Sequence, residues 1–96
     1  MDHWYSADVK ALFLAILSLK DADECLAFFE DACTVKEIIE IAQRLKVARL
    51  LAGGTSYAAI NRETGVSTAT ISRVSRCLDY GSGGYRLVLE REGCNG

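Results

Sequence analysis

"TSYAAINRETGVSTATISRVSRCLDY", residues 55–80, decides the reading of this chain. Thr55 or Ser56 is placed to cap a two-turn helix that ends near Glu63. "TGV" then forms a tight bend in which Gly65 can adopt a positive φ without a side-chain clash. Ser67 can accept a hydrogen bond from the first-turn N–H groups of a second helix, which therefore starts at 67 or 68. Winding residues 67–80 at about 100° per residue puts Ile71, Val74 and Leu78 on one side and Ala69, Ser72, Arg73 and Arg76 on the other. The aliphatic stripe is narrow, wide enough only to dock the helix on its own scaffold. The opposite face combines a methyl group, a hydroxyl and two guanidiniums, so its partners are expected in another molecule.

A helix, a short glycine-containing turn and a second helix form the unit that inserts its second helix in the DNA major groove. The chemistry of the outward face suits that use. A methyl group can approach thymine, a hydroxyl can bond bases or phosphates, and guanidinium suits guanine or phosphate. Ser67, Thr68 and Thr70 add the unpaired N–H groups and positive dipole of a helix N-terminus, where a phosphate could sit. The residues expected to bind DNA are thus Ser56, Ser67, Thr68, Ala69, Thr70, Ser72, Arg73 and Arg76.

Charge distribution points the same way. The net charge is only −2, but residues 1–40 carry three basic and nine acidic groups, whereas 41–80 carry six basic and two acidic. A polyanion would meet the basic half.

Upstream, Ser6 can cap a first helix with Val9, Leu12, Phe13, Ile16 and Leu17 at helical spacing, ending near Leu19. Asp21 with Glu24, and Thr34 with Glu37, each read as a capping box in which the glutamate reaches back to the N–H of the capping residue. The first opens a short helix with Cys25, Leu26, Phe28 and Phe29, the second a long helix that stops at Gly53–Gly54. Apolar residues cover more than one stripe of that long helix, which predicts burial on two sides. In 96 residues the second side is expected to belong to another subunit. The expected organisation is a single all-α domain over 1–96: dimerisation and core helices at 1–54, a helix-turn-helix at 55–80, and a glycine linker and tail at 81–96. Within that tail "YRLVLERE" suits either a strand or a helical turn.

Other classes find little support. "ALFLAIL" at 11–17 is far shorter than the roughly 18 residues of a membrane span. The N-terminus has no basic start or small-residue cleavage site, so cytoplasm is the expected compartment. Cys25, Cys33, Cys77 and Cys94 form no C-x-x-C pair, and with His3 as the one nitrogen ligand they are expected to be small buried thiols rather than metal ligands. "GSGG" has no following G-K-S/T and reads as a linker. There is no Ser-His-Asp arrangement, and Glu30, Asp31, Glu37 and Glu40 read as solvated surface or caps. No enzyme is expected.

Residues 34–85 resemble the Trp repressor superfamily, most closely the small Trp-repressor-related proteins of the YerC/YecD type, through "AQRLKVARLLAGGTSYAAINRETGVSTATISRVSRCLDYGSGGY". The resemblance implies an all-helical, intertwined homodimer that binds double-stranded operator DNA with one helix-turn-helix per subunit, as a transcriptional regulator and most naturally a repressor. It also implies a small-molecule corepressor site at Arg44 and Arg73, with Cys77 where the family places a hydroxyl. Val74 replaces a small residue there and would intrude on a flat indole ring, and a thiol is a poor partner for an ammonium group, so tryptophan is not the expected ligand and no cofactor is assigned. Asn61, at a position that many such units fill with a small residue, predicts a looser fit between the two helices. The alternative reading is a helical protein-interaction adaptor with a vestigial helix-turn-helix.

Overall fold

The computed structural model describes residues 3–93, which form six helices and, among those residues, no strand. They are α1 (Ala7–Leu17), α2 (Ala22–Ala32), α3 (Val35–Ala52), α4 (Tyr57–Thr64), α5 (Thr68–Tyr80) and α6 (Gly84–Arg91). The all-α expectation is met. The chain divides into two compact units, residues 1–38 and 39–96, with the division falling inside α3.

In the first unit local capping chemistry sets the helix starts. Ser6 Oγ accepts from Val9 N–H at 3.2 Å, and Asp21 Oδ1 accepts from Glu24 N–H at 2.9 Å. The Glu24 carboxylate reaches back to Lys20 N–H at 2.8 Å, one residue before the expected target. Thr34 and Glu37 form the full reciprocal box, with Glu37 N–H donating to Thr34 Oγ1 at 3.1 Å and Thr34 N–H to Glu37 Oε1 at 2.9 Å. Those bonds from Thr34 hold the Glu37 carboxyl below its ordinary pKa. No residue of α1 or α2 is buried, and Leu12, Phe13, Leu14, Leu17 and Leu26 are exposed, Leu17 to 79%.

The core belongs to the second unit. Val47 and Ala48 of α3, Ile60 of α4, Val66 of the turn, Ile71, Val74 and Leu78 of α5 and Leu89 of α6 make one buried cluster. Leu45, Leu50, Leu51, Ala52 and Tyr85 pack on its edge. At the end of α3, Gly54 has φ +87° and Thr55 N–H donates to the Leu50 carbonyl at 3.0 Å, a left-handed stop of the kind expected at "GG". α3 is buried only toward its C-terminal end, at Val47 and Ala48, while Ile39 and Ile41 are each 51% exposed.

Within residues 81–93 the glycine stretch leads into a helix, so the open choice between strand and helical turn falls to the helix; residues 94–96 lie outside the described residues. "GSGG" is followed by α6, where Tyr85 and Leu89, one helical turn apart, face the core and Leu89 is 3% exposed. The strand-like alternation of Tyr85, Leu87 and Leu89 is therefore overridden by helical packing, with Leu87 exposed. Gly83 gives α6 no side-chain cap, and ion pairs hold it instead. Arg49 binds Glu92 with Nε–Oε2 at 3.0 Å and Nη2–Oε1 at 2.8 Å, which holds the Glu92 carboxyl below its ordinary pKa. Arg86 Nε donates to the Leu78 carbonyl at 2.7 Å, and its Nη2 lies 3.6 Å from Asp79 Oδ1.

The cysteines also depart from expectation. Cys25 and Cys33 are half-buried and Cys77 is exposed, because the α5 positions facing the core are taken by Val74 and Leu78; Cys94 lies outside the described residues. No metal-binding cluster occurs among the described residues, and no described helix is long and apolar enough to cross a membrane.

Because Ile71 is fully buried at the centre of the cluster, Ile71→Ala should destabilise the fold by about 2–5 kcal/mol in urea titration. A loss under about 1 kcal/mol would contradict this packing.

Candidate nucleic-acid interface

α4 starts where Ser56 Oγ accepts from Ala59 N–H at 3.2 Å and ends at Gly65, whose φ of +74° turns the chain back toward the core. Such a φ disfavours any residue with a Cβ. Val66 is buried beneath the bend, and Ser67 caps α5 by accepting from Thr70 N–H at 3.2 Å. The expected helix starts are thus realised at Ser56 and Ser67. On α5, Ile71, Val74 and Leu78 are 0%, 2% and 8% exposed. Thr68, Ala69, Ser72, Arg73 and Arg76 are all exposed, so the structure separates the two faces as the sequence predicts.

Thr70 has a different setting from its neighbours. It is half-buried, and Ser67 Oγ donates to its hydroxyl at 3.1 Å, which ties it into the cap. Ser56 is exposed at the start of α4. Arg62 on α4 and Tyr80 at the end of α5, both outside the expected set, are also exposed, and Tyr80 is 86% accessible. Arg62 sits in the last turn of α4, where a cation opposes the negative helix end; that position was the signal available in the sequence.

A cavity of about 350 Å³ lies between α3 and the start of α5. Glu40, Gln43 and Arg44 line it from α3, and Val66, Ser67, Thr70 and Arg73 from the turn and α5. The structure thus brings Arg44 and Arg73 together. Neither makes an ion pair with a described residue. Cys77 lines a separate, largely apolar groove with Ile41, Leu45, Ser82, Gly84, Tyr85 and Val88. Val74 turns into the core, one helical step past Arg73, and does not line the cavity. The steric argument against an indole ring therefore finds no support in this lining.

Asn61 corrects another expectation. It does not occupy the packed position between the helices, which Ile60 fills at 0% exposure. Its Nδ2 donates to the Val66 carbonyl at 2.8 Å, so it ties the turn down rather than loosening it.

Two short helices joined through Gly65, the second docked by a narrow aliphatic stripe and bearing arginines outward, define a helix-turn-helix protein. The chain matches the family described as Trp repressor protein over residues 7–93, and it belongs to that family, whose members are regulatory DNA-binding proteins rather than enzymes. It is 53% identical over 91 residues to the protein YerC of Bacillus subtilis (strain 168), covering 95% of this chain and 88% of that one. A crystal structure of a TrpR-like protein from Eubacterium eligens ATCC 27750 superposes with a TM-score of 0.90 at 52% identity, covering 95% of this chain and 94% of that one. A candidate Trp repressor from Staphylococcus aureus gives 0.89 at 47% identity, covering 94% and 90%.

Removing the α5 cap with Ser67→Ala should cost about 1 kcal/mol of stability, because Thr70 N–H loses its acceptor. Urea midpoints identical to those of the parent protein would show that the cap does not stabilise α5.

Proposed function

We propose that the protein is a homodimeric repressor that binds operator DNA in the cytoplasm, α5 of each subunit lying in successive major grooves about 34 Å apart. The observation that carries this is the α5 surface: Arg73 and Arg76 stand outward with Ala69 and Ser72 while the aliphatic residues of the same helix are buried. Membership of the family supports DNA as the partner. Arg73 and Arg76 supply the principal phosphate or base contacts. Ser56, Ser67, Thr68 and Thr70 anchor phosphates, with Thr68, Ala69 and Ser72 reading base edges. Phosphate contacts set affinity broadly and base contacts set sequence preference.

Dimerisation is supported by the state of the first unit. Leu12, Phe13, Leu14, Leu17 and Leu26 are exposed, and burying each such side chain contributes on the order of 1.5–3 kcal/mol. A second copy of the chain covers these residues and the exposed Ile39 and Ile41 of α3. The family's description as Trp repressor protein supports repression as the mode of regulation.

The cavity between Arg44 and Arg73 is the place for a small effector bearing a carboxylate, held by the guanidiniums beside the α5 N-terminus. Selection of bound sequences from random duplex DNA, with and without tryptophan, tests DNA reading, site symmetry and effector together.

Arg76→Ala should weaken binding to a selected operator by about 1–3 kcal/mol while leaving the circular dichroism spectrum unchanged. Affinity equal to that of the parent would count against the α5 face. Binding should also fall steeply with salt in a log–log plot, and a flat plot would exclude the phosphate contacts. In sedimentation equilibrium the protein should run at twice its 10.5 kDa chain mass, and Leu17→Asp should shift it toward monomer. A parent protein that stays monomeric at all concentrations would rule out the dimer.

A further inference from the structure

We propose that Asn61 and Thr64 are positioning residues that fix the angle between α4 and α5, and so decide which bases α5 can read; this rests on the DNA-binding reading above. The observation is a pair of side-chain bonds on the two backbone polar groups of one residue of the turn, Val66, and so on the two peptide units that flank it. Thr64 Oγ1 accepts from Val66 N–H at 3.1 Å, and Asn61 Nδ2 donates to the Val66 carbonyl at 2.8 Å. Thr64 Oγ1 also donates to the Ile60 carbonyl at 2.7 Å, so one hydroxyl joins the last turn of α4 to the bend. Both backbone polar groups of Val66 are thereby held by α4 side chains, and the next residue, Ser67, is the cap from which α5 starts.

These bonds do something the core contacts do not. α5 docks through Ile71, Val74 and Leu78, and burial of aliphatic surface has little directional preference. Hydrogen bonds weaken steeply when bent, so one on each of the two peptides flanking Val66 constrains the backbone there. The lever reaches the base-reading side chains: Ser72 lies five residues beyond Ser67, about 7.5 Å along the helix, so a tilt of about 10° at the turn would move it by roughly 1.3 Å. A bond between a side chain and a base edge tolerates only a few tenths of an ångström. Phosphate contacts by long arginine side chains accommodate such a shift, because charge attraction falls off gradually with distance. Loss of the clamp therefore erodes sequence preference before it erodes affinity for DNA in general.

The test compares Asn61→Ala, Thr64→Val and Thr64→Ser with the parent protein, all full length. The readouts are the ratio of affinities for a selected operator and a scrambled duplex, the salt slope, and the urea midpoint. Asn61 is exposed and Thr64→Val keeps the side-chain shape, so both variants are expected to fold. Asn61→Ala and Thr64→Val should each lower the operator-to-scrambled ratio by tenfold or more, with scrambled-duplex affinity and salt slope unchanged. Thr64→Ser, which keeps the hydroxyl, should restore the ratio. Ratios within twofold of the parent in both variants overturn the inference, as does an equal loss on both duplexes, which would mark a merely structural role. If the parent protein itself selects no sequence, the DNA-binding reading fails and the inference falls with it.

Discussion

The second unit depends on the docking of α5 by three aliphatic side chains. Ile71, Val74 and Leu78 lie on one line of the helix, and with Val47 and Ala48 of α3 and Ile60 of α4 they form the buried cluster. Because so narrow a stripe is enough, most of the circumference of α5 remains available. The outward exposure of Arg73 and Arg76 is therefore a result of how little surface the core requires, rather than a separate arrangement. A wider apolar face would have held the helix more firmly and left less of it for another molecule.

The two units contrast in what holds them. The second has a core and tertiary ion pairs. The first has well-formed caps and aromatic neighbours such as Tyr5 and Phe13, 6.0 Å apart, but no buried residue in either of its helices. Helices of 11 residues are marginal by themselves, so their apolar faces need cover that local hydrogen bonds do not provide. The acidic character of residues 1–40 and the basic character of 41–80 follow nearly the same division.

What could be read from the sequence was whatever is decided within a few residues. Ser6, Asp21, Thr34, Ser56 and Ser67 all sit at helix starts, since a cap needs only its own first turn, and the stripe on α5 follows from helical periodicity alone. Glu24 bonding Lys20 instead of Asp21 is a small departure within the same local chemistry. Features set by distant contacts were not legible. α6 has glycine at its cap and a pattern that suits strand and helix equally, and it is a helix because Leu89 reaches the core and Arg49 reaches Glu92. The roles of Asn61 and Thr64 depend on where the backbone of Val66 lies after a left-handed residue, which residue type does not specify. The convergence of Arg44 and Arg73 came from family resemblance, whereas the separation of Cys77 into another groove depends on how α6 packs.

The attachment of α6 gives the molecule an acid-sensitive seam. Eight residues without a side-chain cap cannot persist alone, and Arg86 ties the helix near its start while Glu92 ties it just past its end. The Glu92 pKa is depressed by Arg49, so its contribution is present above the ordinary carboxylate range and is lost as pH falls through the lowered value. Acid thus releases Glu92 from Arg49 at the end of α6, as it weakens the Thr34–Glu37 box at the start of α3.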